Sequence, residues 1–264
     1  MQISLDTSKW YDRIWAAFIF FTRLPLWRLH QPEKEAYKTV VEHWPLVGWL
    51  TGTTMAAVLY FGSMLFTYEI AILLAIITRL LVTGALHEDG LADFIDGFGG
   101  GGTDRQRILD IMKDSHIGTY GVISLILYFL LLFFTLHAMT PIDAAMTIAA
   151  VDPFAKMLSA QLIQMMPYAR TEDTAKNHVV YRKFNVAAGI SLAVQGLLPI
   201  GVFVYIMYAH IDWQLLIFIP AFVMYLLYLL IWRRLRGYTG DCCGALFLLI
   251  ELSTILTACY YLAA

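Results

Sequence analysis

Long apolar runs alternate with short polar connections along this chain, and seven of the runs approach the roughly 20 residues that a membrane-spanning helix needs. They are Leu46–Phe66, Ile70–Leu86, Gly121–Met139, Ile142–Met166, Val186–Ala209, Trp213–Trp232 and Gly244–Leu262. An eighth apolar stretch, Ile14–Thr22, is bracketed by Arg13 and Arg23 and is too short to span. With Trp10, Trp15 and Trp27 around it, it reads as an interfacial amphipathic helix, with a re-entrant segment as the alternative. All of the 18 Lys and Arg residues except Arg79 and Lys156 fall in the segment up to Trp44 and in loops near 87–120, 167–185 and 233–243. The positive-inside rule then puts the N-terminus and these loops in the cytoplasm and the C-terminus outside. The pattern predicts an all-α, polytopic membrane bundle: about seven transmembrane helices plus the N-terminal interfacial helix, forming one domain over residues 1–264.

Composition supports that class. Hydrophobic residues make up 59% of the chain and charged residues 14%, with a mean hydropathy of +0.66, unlike a soluble domain with its roughly 25% charged residues. A net charge of −2 excludes nucleic acid as a partner and leaves membrane lipid as the surroundings. No small-residue cleavage site follows the first apolar stretch, so no cleaved signal is predicted. Cys242, Cys243 and Cys259 have no metal-ligand spacing and read as packing residues. The pattern leaves homo-oligomerisation open.

The chemistry concentrates in His87-Glu88-Asp89-Gly90-Leu91-Ala92-Asp93-Phe94-Ile95-Asp96-Gly97. On a helix, offsets of four and seven bring Asp89, Asp93 and Asp96 within about 60° of one another. Such a face repels itself unless protonated or offset by positive charge, and it suits a hard cation with oxygen ligands, Mg²⁺ best. The bland alternative is a solvated acidic cap on a membrane helix. Gly97–Gly102 reads as a hinge or a backbone nest for phosphate. Thr103-Asp104-Arg105-Gln106 matches a capping box, and a short amphipathic helix follows, with Gly118 as its stop.

A second run, Arg236-Gly237-Tyr238-Thr239-Gly240-Asp241, leads into the last apolar segment, which buries Glu251. Asp241 is a further candidate metal ligand, and Thr239 and Glu251 are candidate substrate contacts, although a protonated Glu251 bonded to a neighbouring helix is the structural alternative. His87 is a candidate general base or a structural histidine. Lys113, Asp114 and Arg170 place charge on the cytoplasmic loops where an anionic substrate would arrive. Arg79 and Lys156 stand in the cytoplasmic halves of their helices and are candidates for gripping a diphosphate. For Lys156 the competing partner is Asp152, four residues earlier.

Three motifs together resemble the cobalamin synthase family, the adenosylcobinamide-GDP ribazoletransferases. They are His87-x-Asp89-Gly90-Leu91-Ala92-Asp93-x-x-Asp96-Gly97, Ile111-Met112-Lys113-Asp114-Ser115-x-Ile117-Gly118-x-Tyr120-Gly121, and Thr239-Gly240-Asp241-x-x-Gly244-Ala245 with Glu251. Phe21-Thr22-Arg23-Leu24-Pro25, Trp44-Pro45-Leu46-Val47-Gly48 and Pro167-Tyr168-Ala169-Arg170 agree along the chain. Glu88, Arg236 and Lys156 depart from the family pattern. The resemblance implies Mg²⁺-dependent transfer of α-ribazole, or its 5′-phosphate, onto adenosylcobinamide-GDP with release of GMP, at the cytoplasmic face of a bacterial inner membrane. In that reaction a ribose hydroxyl attacks the phosphorus next to the aminopropanol, metal is expected on Asp89, Asp93, Asp96 and Asp241, and Asp96 or His87 is the expected base. The rival enzyme is a CDP-alcohol-type phosphotransferase, whose pattern expects Arg after Ala92 where Asp93 stands. The rival from another class is a metal or organic-ion transporter using Asp152 and Glu251.

Overall fold

The computed structural model describes residues 9–170 and 180–263, and among these every regular element is helical. The middle of the predicted 167–185 loop, residues 171–179, lies outside the described residues. Helix α1 (Trp10–Phe21) is 12 residues long, about 18 Å, and so too short to span. Two 3-10 helices, Leu26–Arg28 and Lys34–His43, lead from it into α2 (Trp44–Gly62). The chain continues through α3 (Tyr68–Thr83), α4 (Leu86–Gly100), α5 (Arg105–Ile111), α6 (Thr119–His137), α7 (Pro141–Met165), α8 (Val186–Ile206), α9 (Trp213–Leu235) and α10 (Gly240–Leu262).

Each of the seven apolar runs is a helix, but the count of seven spans is not what length and hydropathy support. Among the described residues four helices, α6, α8, α9 and α10, are long and apolar enough to cross a membrane, or five if α3 and α4 form one broken span. Two consecutive residues in the left-handed region, Gly84 (φ 66°) and Ala85 (φ 55°), end α3 and turn the chain by 88° into α4. Helices α2 and α7 carry the composition of helices packed against helices rather than lipid. In α7 the apolar run is interrupted by Asp143, Asp152 and Lys156, and α2 offers Gly48 and Gly52 to its neighbour. A methyl group on Gly48 would lie 2.7 Å from the Cα of Pro153, and one on Gly52 would lie 3.0 Å from the Cβ of Asp152. Small residues let these backbones approach closely, as in other membrane helix pairs. Helix α10 is buried over most of its length at the centre, whereas α6, α8 and α9 turn apolar side chains outward.

Both isolated cations of the apolar layer are paired inside the protein. Lys156 donates to its i−4 neighbour Asp152 and to Thr51 Oγ1 at 3.3 Å, and lies 3.8 Å from the centre of the Phe247 ring. Thr51 in turn donates to the other oxygen of Asp152 at 2.8 Å. Arg79 Nη1 donates to both carboxylate oxygens of Glu251 at 2.7 Å, and Nη2 donates to Tyr128 Oη at 2.7 Å. Tyr128 also donates to Glu251 at 3.1 Å, and Glu88 lies 3.7 Å from Arg79. These pairs tie α7 to α2, and α3 to α4, α6 and α10. Removing one partner strands a buried charge, which costs about 3–5 kcal/mol. Lys156→Met should therefore lower the melting temperature in detergent sharply, and Lys156→Met combined with Asp152→Asn should recover most of the loss. Equal melting temperatures for the single and double variants would contradict a buried ion pair.

Candidate active site

Glycines decide where the two acidic motifs meet. A methyl group on Gly90 in α4 would lie 3.2 Å from the Cα and carbonyl oxygen of Asp241, and one on Gly244 in α10 would lie 3.3 Å from the carbonyl of His87. The N-terminal turns of α4 and α10 thus touch backbone to backbone, and Asp89 and Asp241, 152 positions apart, line one cavity of about 260 Å³. Thr239 caps α10, accepting from the amide of Cys242 at 3.3 Å, and its hydroxyl donates to Asp241 at 3.4 Å.

A strand-like bridge delivers the rest of the rim. Tyr238 N–H donates to the Pro167 carbonyl at 2.9 Å, and Ala169 N–H donates to the Tyr238 carbonyl at 2.7 Å. This brings Tyr168 and Arg170 to the cavity. Arg170 is braced by donating to the Leu109 carbonyl at 2.7 Å. Burial, with the Asp241 carboxylate adding to it, pushes the Tyr168 phenol up to about 12, so it stays a protonated hydrogen-bond donor at neutral pH. The inner wall is aromatic. Phe21, Trp44 and His87 stand with ring planes within 21° of one another, and Phe247 meets His87 edge-on at 4.7 Å. Among the described residues, the Nε2 of His87 finds no hydrogen-bond partner.

The structure separates the predicted site residues into two groups. His87, Asp89, Arg170 and Asp241 line the cavity, with Thr239 supporting Asp241. The others lie elsewhere. Both oxygens of Asp96 are engaged by the start of α6, accepting from the amides of Gly118 at 2.7 Å and Gly121 at 2.8 Å. It shares its azimuth on α4 with Asp89 but sits seven residues along, about 10 Å further down the helix axis, where the neighbour is α6 rather than the cavity. A side chain at Gly118 or Gly121 would collide with that carboxylate. Asp93, half-buried, is not part of the cavity lining. Arg79, Glu251 and Lys156 are consumed by the core pairs described above. Lys113 and Asp114 are exposed beyond α5, where hydrogen bonds from His116 hold the Asp114 carboxyl below its usual range.

Two local expectations change with them. Most of the glycine run is helical: α4 continues to Gly100, and its bare surface lets Met112, Ile108 and Tyr120 pack close, while the run ends with Gly101 right-handed and Gly102 left-handed at φ 58°. The cap of α5 is Asp104 rather than Thr103, accepting from Gln106 N–H at 2.8 Å, and Gly118 caps the start of α6 instead of stopping α5. Sequence reading overlooked Arg23, Tyr181 and the aromatic wall as cavity residues, although Phe21-Thr22-Arg23 and Trp44-Pro45 stand in the motifs.

Among the described residues no three His, Cys, Asp or Glu side chains converge to cage a metal. The Asp89 and Asp241 pair nevertheless suits Mg²⁺, which keeps several waters and takes one or two carboxylates plus substrate phosphate.

The family model described as cobalamin-5-phosphate synthase matches residues 13–259. The chain belongs to that family. It is 34% identical over 250 residues to an adenosylcobinamide-GDP ribazoletransferase of Vibrio parahaemolyticus, covering 91% of this chain and 89% of the relative. Proteins of the same name from Vibrio vulnificus and Leptospira interrogans are 36% and 34% identical, over 93% and 89% of this chain and 94% and 89% of their own lengths. No solved structure gives a significant match.

The different stations of Asp89 and Asp96 have separate consequences. Asp96→Asn should lower stability by about 1.5–3 kcal/mol through lost charge-assisted bonds to α6, whereas Asp89→Asn, at an exposed position, should lower it less. Equal destabilisation by both, in detergent melts, would contradict the assignment of Asp96 to the α6 anchor.

Proposed function

We propose that this chain transfers α-ribazole, or its 5′-phosphate, onto adenosylcobinamide-GDP and releases GMP. The observation that carries the reading is the convergence of the two family motifs, through Asp89 and Asp241, on one cavity that also holds guanidinium groups and aromatic rings. The incoming ribose hydroxyl oxygen forms a bond to the phosphorus next to the aminopropanol. The bond from that phosphorus to the bridging oxygen breaks, the oxygen leaves with GMP, and the hydroxyl proton is released.

Each group in the cavity has work in that step. Asp89 and Asp241 would hold a Mg²⁺ ion, which supplies charge neutralisation at the diphosphate oxygens and at the leaving phosphate. Arg170, fixed by the Leu109 carbonyl, presents its remaining N–H groups to the same anion. The rings of Phe21, Trp44, Tyr168 and Tyr181 offer flat faces to a nucleotide base and exclude water from the reacting phosphorus. Of the two base candidates, His87 lines the cavity and Asp96 does not, so His87 is the one within reach of the hydroxyl. The described lining comes from residues 20–23, 41–44, 86–89, 168–170, 181 and 240–244, all in or next to the lysine- and arginine-rich segments of the chain, which supports a cytoplasmic mouth in a bacterial inner membrane.

Purified protein given adenosylcobinamide-GDP, α-ribazole and Mg²⁺ should release one GMP per cobalamin formed, and Asp89→Asn should slow release by at least about a hundredfold. A wild-type protein that is folded and yet forms no GMP from these substrates would contradict the reading.

A further inference from the structure

Arg23 was not singled out by its position, because a charged residue just after an interfacial helix ordinarily reads as an orientation signal. Three observations give it a different station. It lines the same cavity as Asp89 and Asp241. Its backbone is fixed there: Arg23 N–H donates to the Val82 carbonyl at 2.7 Å, next to the left-handed turn that breaks α3 from α4. Its side-chain stem lies across Gly84, where a methyl group would collide with the guanidinium Nε and lie 2.7 Å from Cγ. Gly84 is therefore required twice, for its φ of 66° and for the bare surface that seats the arginine. Among the described residues the Arg23 guanidinium makes no hydrogen bond or ion pair, whereas Arg170 on the same cavity already spends one N–H on a carbonyl.

We propose that Arg23, positioned by the Gly84 turn, grips the phosphate oxygens of the nucleotide-activated substrate in the cavity that Asp89 and Asp241 also line. This rests on the ribazoletransferase reading for the identity of the phosphate but not for the placement of the arginine. A cation fixed at the mouth of a site meant for a diphosphate suits Arg better than Lys, because the planar fork binds two oxygens at once. The same chemistry fits a lipid headgroup phosphate at the membrane edge, so the test must separate the two sources.

Arg23→Met keeps the aliphatic stem over Gly84 and removes the fork. It should raise the KM for adenosylcobinamide-GDP roughly tenfold to a hundredfold, with a smaller change in kcat. Arg23→Lys should fall between, and Gly84→Ala, if it folds, should resemble Arg23→Met although it changes no substrate contact. Arg28→Ala, an exposed cation of the same segment outside the cavity, should leave KM unchanged. The KM effect should be the same in phospholipid-free detergent and in nanodiscs containing phosphatidylglycerol. A KM for Arg23→Met within twofold of wild type, or a rise seen only in the anionic nanodiscs, would overturn the proposal. Binding of GDP with Mg²⁺, read by thermal shift, separates this from the broader reading. If wild type releases no GMP but GDP protects it and Arg23→Met loses that protection, the phosphate grip stands and the ribazoletransferase reading falls.

Discussion

The backbones of α4 and α10 touch through Gly90 and Gly244, and the site depends on that contact. Two acidic motifs separated by most of the chain reach one cavity only because neither helix carries a side chain where they cross. Close approach also turns both N-terminal ends toward the same space, so the partial positive charge of two helix termini faces the volume where phosphate is expected. The rim then assembles on this frame: the Tyr168–Tyr238 bridge from one side, the Gly84 turn carrying Arg23 from the other, and the Phe21–Trp44–His87 rings as the wall between.

Ionisable residues within apolar layers ordinarily point to function, yet in this chain the deepest of them hold the bundle together. Arg79 is satisfied by Glu251 and Tyr128, and Lys156 by Asp152, Thr51 and the face of Phe247. A guanidinium or ammonium inside the bundle needs a partner, and a carboxylate on a neighbouring helix supplies it permanently, where a substrate would supply it only when bound. The consequence is a division by depth: the core pairs fix the relative positions of α2, α3, α7 and α10, and the charges that face the cavity sit at its mouth. Both transporter candidates, Asp152 and Glu251, belong to the first group.

What could be read from the sequence follows the same division. Every apolar run became a helix, with ends displaced by a few residues, because the hydrophobic pattern sets helix existence strongly and helix ends weakly. Asp241 was legible only as a further candidate ligand beside the Asp89, Asp93 and Asp96 face, because nothing local links positions 152 apart. The reading of Asp96 was correct in angle and incomplete along the helix axis: the helical wheel gives azimuth, and only the tertiary neighbour, the start of α6, shows what meets the carboxylate. The Lys156 pair was visible as an i,i+4 alternative, while the Arg79–Glu251 pair joins residues 172 positions apart and leaves no local signal. Arg23 was hidden for the same reason, since its seat is a glycine 61 positions later.

The central claim is that Asp89 and Asp241 act as one site, and a double-mutant cycle tests it most directly. Rates of GMP release would be measured for Asp89→Asn, Asp241→Asn and the combined variant at one Mg²⁺ concentration. Because groups serving a single unit are strongly non-additive, the account predicts that the double variant is little slower than the slower single one. Losses that multiply would mean the two carboxylates act independently, and would contradict the shared site that the glycine contact builds.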